Sequence, residues 1–104
     1  MYGFEIVIDN LLSNAIKYNN PSGSIFISNI DGILEISDTG KGIEQKHLFE
    51  VYDKYFQIDS HNKGIGLGLS IVKEYCDKYN IKIQIESDKN KGTRFFLDLR
   101  FLSV

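Results

Sequence analysis

Cysteine, long apolar runs, basic stripes and a secretory leader are missing or nearly so from this sequence, and each absence narrows what the chain is. A single cysteine, Cys76, leaves no partner for an internal disulfide and too few thiolates for a cysteine-based zinc cluster. It reads as a small buried residue on a helix. No apolar stretch approaches the roughly 18 residues that a membrane-crossing helix requires. The opening Met1-Tyr2-Gly3-Phe4-Glu5 has neither the basic region nor the cleavage site of a signal peptide. Lysine and arginine never gather into a stripe and the net charge is −2, so duplex nucleic acid is not an expected partner. A polyanion on an acidic protein must be held locally, by helix N-termini, glycine-rich backbone, a metal and a few lysines. Internal repeats and low-complexity linkers are absent too.

What remains is an ordinary globular composition. Of the 104 residues, 42% are hydrophobic and 25% charged, which suits one domain with one core. A chain of this size buries roughly 60–68% of the surface it exposes when unfolded. Phe4, Val7, Ile8, Leu11, Leu12 and Ala15 recur at helical spacing, predicting a helix over Phe4–Tyr18, and Asn19-Asn20-Pro21-Ser22-Gly23 stops it. Two strands, Ser24–Ile30 and Ile33–Ser37, flank Asp31-Gly32, the strongest short hairpin signal present. Glu44–Val51 is a short helix candidate, and Gln57–Lys63 is polar and aperiodic. Gly68–Tyr79 reads as an amphipathic helix with Leu69, Ile71, Val72 and Tyr75 inward. Ile81–Glu86 alternates as a half-buried strand should, and Thr93–Phe101 is the last strand. This order predicts an α+β, two-layer sandwich: helices packed on one face of a mixed, mostly antiparallel sheet.

Four segments carry chemistry. Asn10, Asn14 and Lys17 fall at i, i+4 and i+7 and share one helix face. They are either a solvated side or a magnesium site, in which an amide oxygen serves as ligand and phosphates and water complete the shell. Asp38 ends a strand before Gly40 and Gly42. It is either an Asx-type turn or an acceptor for the exocyclic amine of adenine, rejecting guanine because a buried acceptor left unpaired costs about 1–3 kcal/mol. Gly64-Ile65-Gly66-Leu67-Gly68-Leu69 opens a helix and so offers free N–H groups to an anion. No strand immediately precedes it, as a dinucleotide fingerprint requires, and no Gly-Lys-Ser/Thr follows. Asn90-Lys91-Gly92-Thr93 is by itself an ordinary turn.

In order and spacing, these segments resemble the catalytic, ATP-binding domain of bacterial sensor histidine kinases, in the GHKL ATPase superfamily. Asn10–Tyr18 is similar to the N box, Asp38–Ile43 to the first glycine box, Tyr52–Phe56 to the F box, Gly64–Ile71 to the second glycine box and Lys91-Gly92-Thr93 to the third. The resemblance implies the GHKL (Bergerat) fold and one catalytic domain over residues 1–104, N-terminally truncated, because relatives usually carry a further strand before the first helix. It implies Asn14 as the magnesium ligand, Lys17 at the phosphates and Tyr18 against adenine. Asp38 would accept from the adenine amine, and Gly40, Gly42 and Ile43 would shape the base pocket. Gly64, Gly66, Leu67, Gly68 and Leu69 would present the phosphate loop, and Thr93 would support the adenine end. Residues 57–63 would be the ATP lid. Tyr52, Tyr55 and Phe56 would pack at the lid base, against histidine-bearing helices, or simply in the core.

Asn10 bears on the reaction. In the ATP-hydrolysing and serine-phosphorylating relatives a glutamate base usually occupies this position. An amide takes no proton, and a neutral imidazole needs no strong base. The resemblance therefore implies Asn10, Asn14 and Lys17 as the catalytic set for moving the γ-phosphoryl of ATP, with Mg²⁺, to a histidine. That histidine would lie on a separate dimerisation domain, since His47 and His61 lack the sequence around an acceptor histidine. Further implied are a response-regulator receiver domain downstream, a monomeric isolated domain, and a cytoplasmic location with the parent anchored in the inner membrane. Gln57 stands where many members carry arginine and supplies no charge to the γ-phosphate. Two other readings stay open: a degenerate ATP-sensing or docking module, and a GHKL ATPase or serine kinase.

Overall fold

A computed structural model describes residues 3–48, 50–52 and 68–102. Its elements are α1 (Glu5–Lys17), β1 (Ile25–Ile30), β2 (Ile33–Asp38), α2 (Gly68–Lys78), β3 (Lys82–Ser87) and β4 (Thr93–Asp98), with a single 3-10 turn at Gln45–His47. The strands form one sheet in the order β1-β2-β4-β3. All three pairings among the described residues are antiparallel.

The local chemistry explains most boundaries. Glu5 in the first turn and Lys17 in the last complement the dipole of α1. Asn20, preceding Pro21, is biased away from helical backbone, and the chain turns there. Asp31 and Gly32 both take positive φ, 54° and 82°, and Ile30 pairs directly with Ile33. That is the two-residue hairpin the Asp-Gly pair announces. At the end of α2, Asn80 is left-handed with φ 60°, and Ile81 donates its N–H to Cys76 O at 2.9 Å, a Schellman stop.

Two elements differ from the sequence expectation. The helix expected over Glu44–Val51 is only the turn Gln45–His47. Its bonds, His47 N–H to Glu44 O and Leu48 N–H to Gln45 O, are of the tighter i→i+3 kind, and the segment is too short to propagate a helix. β4 stops at Asp98 rather than Phe101, because its partner β2 begins opposite at Ile33. Beyond it Leu99 donates to Gly32 O and Arg100 N–H to Asp98 Oδ1.

The core lies between the helices and one face of the sheet. Val7 and Leu11 of α1 and Val72 and Cys76 of α2 meet Leu34, Ile36, Phe95 and Leu97. Leu34 pairs with Leu97 and Ile36 with Phe95, so all four point to the helix side. Cys76 is fully buried, and burial pushes its thiol up to about 11, so it is inert packing. Tyr52 packs against the same cluster. On α2 the inward stripe is Leu69, Val72, Tyr75 and Cys76, while Ile71, as partly buried as Leu69 and Tyr75, is not packed on this cluster. The opposite sheet face is mixed: Phe26 and Ile30 are exposed there, and Arg94 bridges Glu35 at 3.0 Å and Glu86 at 3.6 Å.

Candidate functional site

The site residues lie around α1 and the strand ends beside it. Midway along α1, Asn10 donates its side-chain N–H to Ile6 O at 2.7 Å. The amide oxygen is thereby turned toward α2, where a Cβ added to Gly68 would lie 2.8 Å from it. Asn10 on the first helix and the start of the second thus face one another. Asn14 is partly buried one turn on, and its carbonyl accepts the Tyr18 N–H at 3.0 Å. Lys17 is exposed, with its ammonium 5.3 Å from the centre of the Tyr18 ring.

At the far end of α1 the backbone closes on the segment after β2. Tyr18 O accepts the Lys41 N–H at 3.3 Å, and a Cβ at Gly40 would strike Tyr18 O. Thr39 Oγ1 accepts the Ser24 N–H at 2.8 Å, and Asn20 holds Thr39 O at 2.9 Å. Asp38 is the last residue of β2, opposite Thr93. Its Oδ1 accepts the Gly40 N–H at 2.8 Å. Burial raises its pKa, against the opposing pull of the Gly40 and Thr93 N–H groups. Among the described residues no cation pairs with this partly buried carboxylate, and it leaves an acceptor facing the helix layer.

A second closure joins residues 41–45 to residues 87–92. Gly42 and Gly92 take positive φ, 69° and 83°. A Cβ at Gly42 would strike Asp88 O and one at Gly92 would strike Asp38 O, so neither position has room or conformation for a side chain. Asn90 N–H reaches Lys41 O at 2.6 Å. Gln45 Nε2 reaches Ser87 O at 2.7 Å and Asp88 Oδ1 at 2.9 Å. Ile43, buried in this seam, donates its N–H to Ser87 Oγ at 2.7 Å.

The structure therefore gathers Tyr18, Asp38, Gly40, Gly42, Ile43 and Thr93 at the C-terminal end of α1, and Asn10, Gly68 and Leu69 beside its middle, with Asn14 between. Gly64, Gly66, Leu67, the rest of the F box from Asp53 and the expected lid at 57–63, His61 included, lie outside the described residues. His47 sits in the 3-10 turn, 3.6 Å from Glu50 Oε2. Sequence reasoning missed Ser87 and Gln45, which fasten the two loops. Ser87 had one usable signal: it continues the inward parity of Ile83 and Ile85.

Comparison with known proteins places the fold and the family. Residues 3–103 match the family described as histidine kinase-, DNA gyrase B- and HSP90-like ATPase. The sensor protein SrrB of Staphylococcus aureus is 36% identical over 89% of this chain. Among solved structures, the mycobacterial sensor histidine kinase MprB superposes with a TM-score of 0.75 at 28% identity, covering 88% of this chain and 68% of that one. The catalytic domain of histidine kinase ThkA gives 0.68 at 29%, covering 88% and 62%. ShkA, solved with AMPPNP, is alike in fold at 0.77 and 24% identity, over 97% of this chain and 22% of its own. The chain belongs to the histidine kinase-, gyrase B- and HSP90-like ATPase family, and its relatives in sequence and structure are sensor histidine kinases. It spans 17% of the length of the sensor protein relatives it matches. Among the described residues no helix is long and apolar enough to cross a membrane.

Proposed function

We propose that this chain is the MgATP-binding catalytic domain of a sensor histidine kinase and delivers the γ-phosphoryl group to a histidine on a separate dimerisation domain. The observation that carries the reading is that one helix lines the whole site. From Asn10 to Tyr18, α1 runs about 12 Å, touching Gly68 near one end and Gly40 at the other. The base would lie where Asp38 and Thr93 pair, and the phosphates where Asn10, Asn14 and the start of α2 converge.

Asp38 accepts from the 6-amino group of adenine and repels a keto oxygen there. The helix start at Gly68 would offer backbone N–H groups to phosphate oxygens. Among the described residues no three His, Cys, Asp or Glu side chains gather as a metal site, so a magnesium ion would be held by amide oxygens, Asn14 and the inward-turned Asn10, with phosphate oxygens and water. Such donors fit a hard, partly hydrated cation, which when bound neutralises charge on the phosphates. In the transfer, an imidazole nitrogen bonds to the γ-phosphorus as the bond to the β,γ-bridging oxygen breaks, and ADP departs. Asn10 cannot act as base to activate water, which favours histidine over hydrolysis. The lid at 57–63, a single catalytic domain over 1–104, a receiver domain downstream and a membrane-anchored parent belong to the same reading.

The test is a calorimetric titration of the chain with MgATP beside Asn14→Ala, followed by transfer from labelled ATP to a supplied histidine-bearing dimerisation domain. Micromolar binding that loses its magnesium dependence in Asn14→Ala, with label reaching histidine, is expected. No affinity for adenine nucleotides with magnesium would overturn the reading. Binding without any transfer would reduce the chain to a nucleotide-sensing module.

A further inference from the structure

Ser87 is the buried hinge pin of the base end. It closes β3 directly opposite Thr93, which is itself directly opposite Asp38, so the three side chains form one row on the helix side of the sheet. Ser87 and Thr93 are only 8% and 7% exposed. Three groups surround the Ser87 hydroxyl: Ile43 N at 2.7 Å, Gly92 O at 2.8 Å and Thr93 Oγ1 at 2.9 Å.

A hydroxyl has one proton and two lone pairs, and that inventory fixes the direction of each bond. Ile43 N–H only donates, so Ser87 Oγ accepts from it. Gly92 O only accepts, so Ser87 gives its proton there. The third contact is then a hydrogen bond only when Thr93 donates to Ser87. With its proton so committed, Thr93 Oγ1 keeps acceptor lone pairs alone, beside a carboxylate that is also acceptor-only. A base carrying an amino group brings two N–H donors to such a pair of acceptors, whereas a keto base brings lone pairs against lone pairs.

We propose that Ser87 is a specificity-determining positioning residue: by taking the Thr93 proton it fixes Thr93 as a second acceptor next to Asp38, and so makes the pocket select a 6-amino purine over a 6-keto one. The proposal rests on the nucleotide reading above. It also gives the seam between residues 41–45 and 87–92 a role in selectivity, since Ser87 holds both loops with the same oxygen that orients Thr93.

The experiment compares MgATP and Mg-inosine triphosphate, which carries a keto oxygen in place of the amine, by calorimetry on the 104-residue chain. In Ser87→Ala the Thr93 hydroxyl is free to turn and donate to the keto oxygen. ATP affinity is expected to fall about tenfold while that for inosine triphosphate falls by less than about threefold, so the part of the preference for ATP that Thr93 supplies, at least about threefold, is lost while the part due to Asp38 remains. A purely structural Ser87 would weaken both nucleotides alike, and a constant ratio overturns the proposal. Because Ser87→Ala strips a buried junction, Thr93→Val provides a second arm that keeps the volume and removes the hydroxyl. It too should lose that part of the preference, and adding Ser87→Ala to it should lower the ratio no further. Full discrimination in Thr93→Val overturns the proposal even if Ser87→Ala does not fold. Failure of the unmodified chain to bind either nucleotide would instead overturn the nucleotide reading, and this proposal with it.

Discussion

The two ends of the candidate site along α1, at Tyr18 and at Asn10, are held in different ways. At Tyr18 the contacts are backbone against backbone: Lys41 to Tyr18 O, Gly40 against the same carbonyl, Gly92 against Asp38 O and Asn90 to Lys41 O. At Asn10 the join to α2 that faces the site is one amide oxygen set against Gly68. Backbone cannot rotate out of the way, whereas a side chain adjusts at a cost of about 0.5–1.5 kcal/mol. The end assigned to the base is therefore fixed before any ligand arrives, and the end assigned to the phosphates can reshape around what it holds. A flat, rigid base rewards the first arrangement, and a flexible, metal-chelated phosphate chain the second.

The largest expected effect breaks the fixed end. Gly92→Ala imposes a Cβ on a left-handed residue and drives it into Asp38 O. The strained backbone alone costs about 1–3 kcal/mol, and the clash adds to it, so the melting temperature should fall by more than about 10 °C. A melting temperature within about 2 °C of the unmodified chain would mean that the seam yields as a side chain does.

Next in size, Asp38→Asn separates binding from folding. Burial makes the folded chain hold the Asp38 proton more tightly than the unfolded chain, whose carboxyl keeps its ordinary value near 3.8. The unfolded state therefore binds fewer protons in the window above that value, and stability falls as pH rises through it. Asp38→Asn should thus melt no lower than the parent at neutral pH, with the difference shrinking as the solution is acidified toward 3.8. ATP affinity should meanwhile drop about ten- to hundredfold. A variant that loses stability at neutral pH while keeping its affinity would show Asp38 to be a structural turn residue.

The smallest effect belongs to the adjustable end. In Gly68→Ala the added Cβ meets only the tip of the Asn10 side chain, and alanine favours the helix by up to about 1 kcal/mol. The melting temperature should stay within a few degrees, about 4–8 °C corresponding to 1 kcal/mol at this size. MgATP affinity should fall by a few-fold, read by titration, because Asn10 is displaced. A loss of stability as large as that of Gly92→Ala would erase the distinction between the two ends.

The elements were legible where a local rule acts alone. Val7, Leu11 and Ala15 at helical spacing define α1, Asp31-Gly32 defines the hairpin, and Ile83 and Ile85 alternate into the core. The candidate site residues were legible only as motif positions, Asn14, Asp38 and Gly68 among them. Local rules failed at Glu44–Val51, where a helix-like stretch becomes one turn while Gln45 is drawn to Ser87 O, 42 residues away. They failed again at Asp98, where β4 ends because β2 has no further residue to pair with. Pairing partners are nonlocal, and no spacing in the chain announces them.

By itself, the sequence determined the alternation of helix and strand, the apolar faces that must meet, and the residue types able to hold a base, a metal and phosphates, because periodicity, turn chemistry and side-chain chemistry are properties of neighbours along the chain. Only the tertiary structure decided that Ser87, Thr93 and Asp38 share one row, that Gly42 and Gly92 each abut a distant carbonyl, and that Asn10 turns its oxygen to Gly68. Those relations arise from the register of the strands and the packing of two helices, and the Ser87 and Thr93 hydroxyl protons have a direction only once Ile43 N–H and Gly92 O are in place beside them.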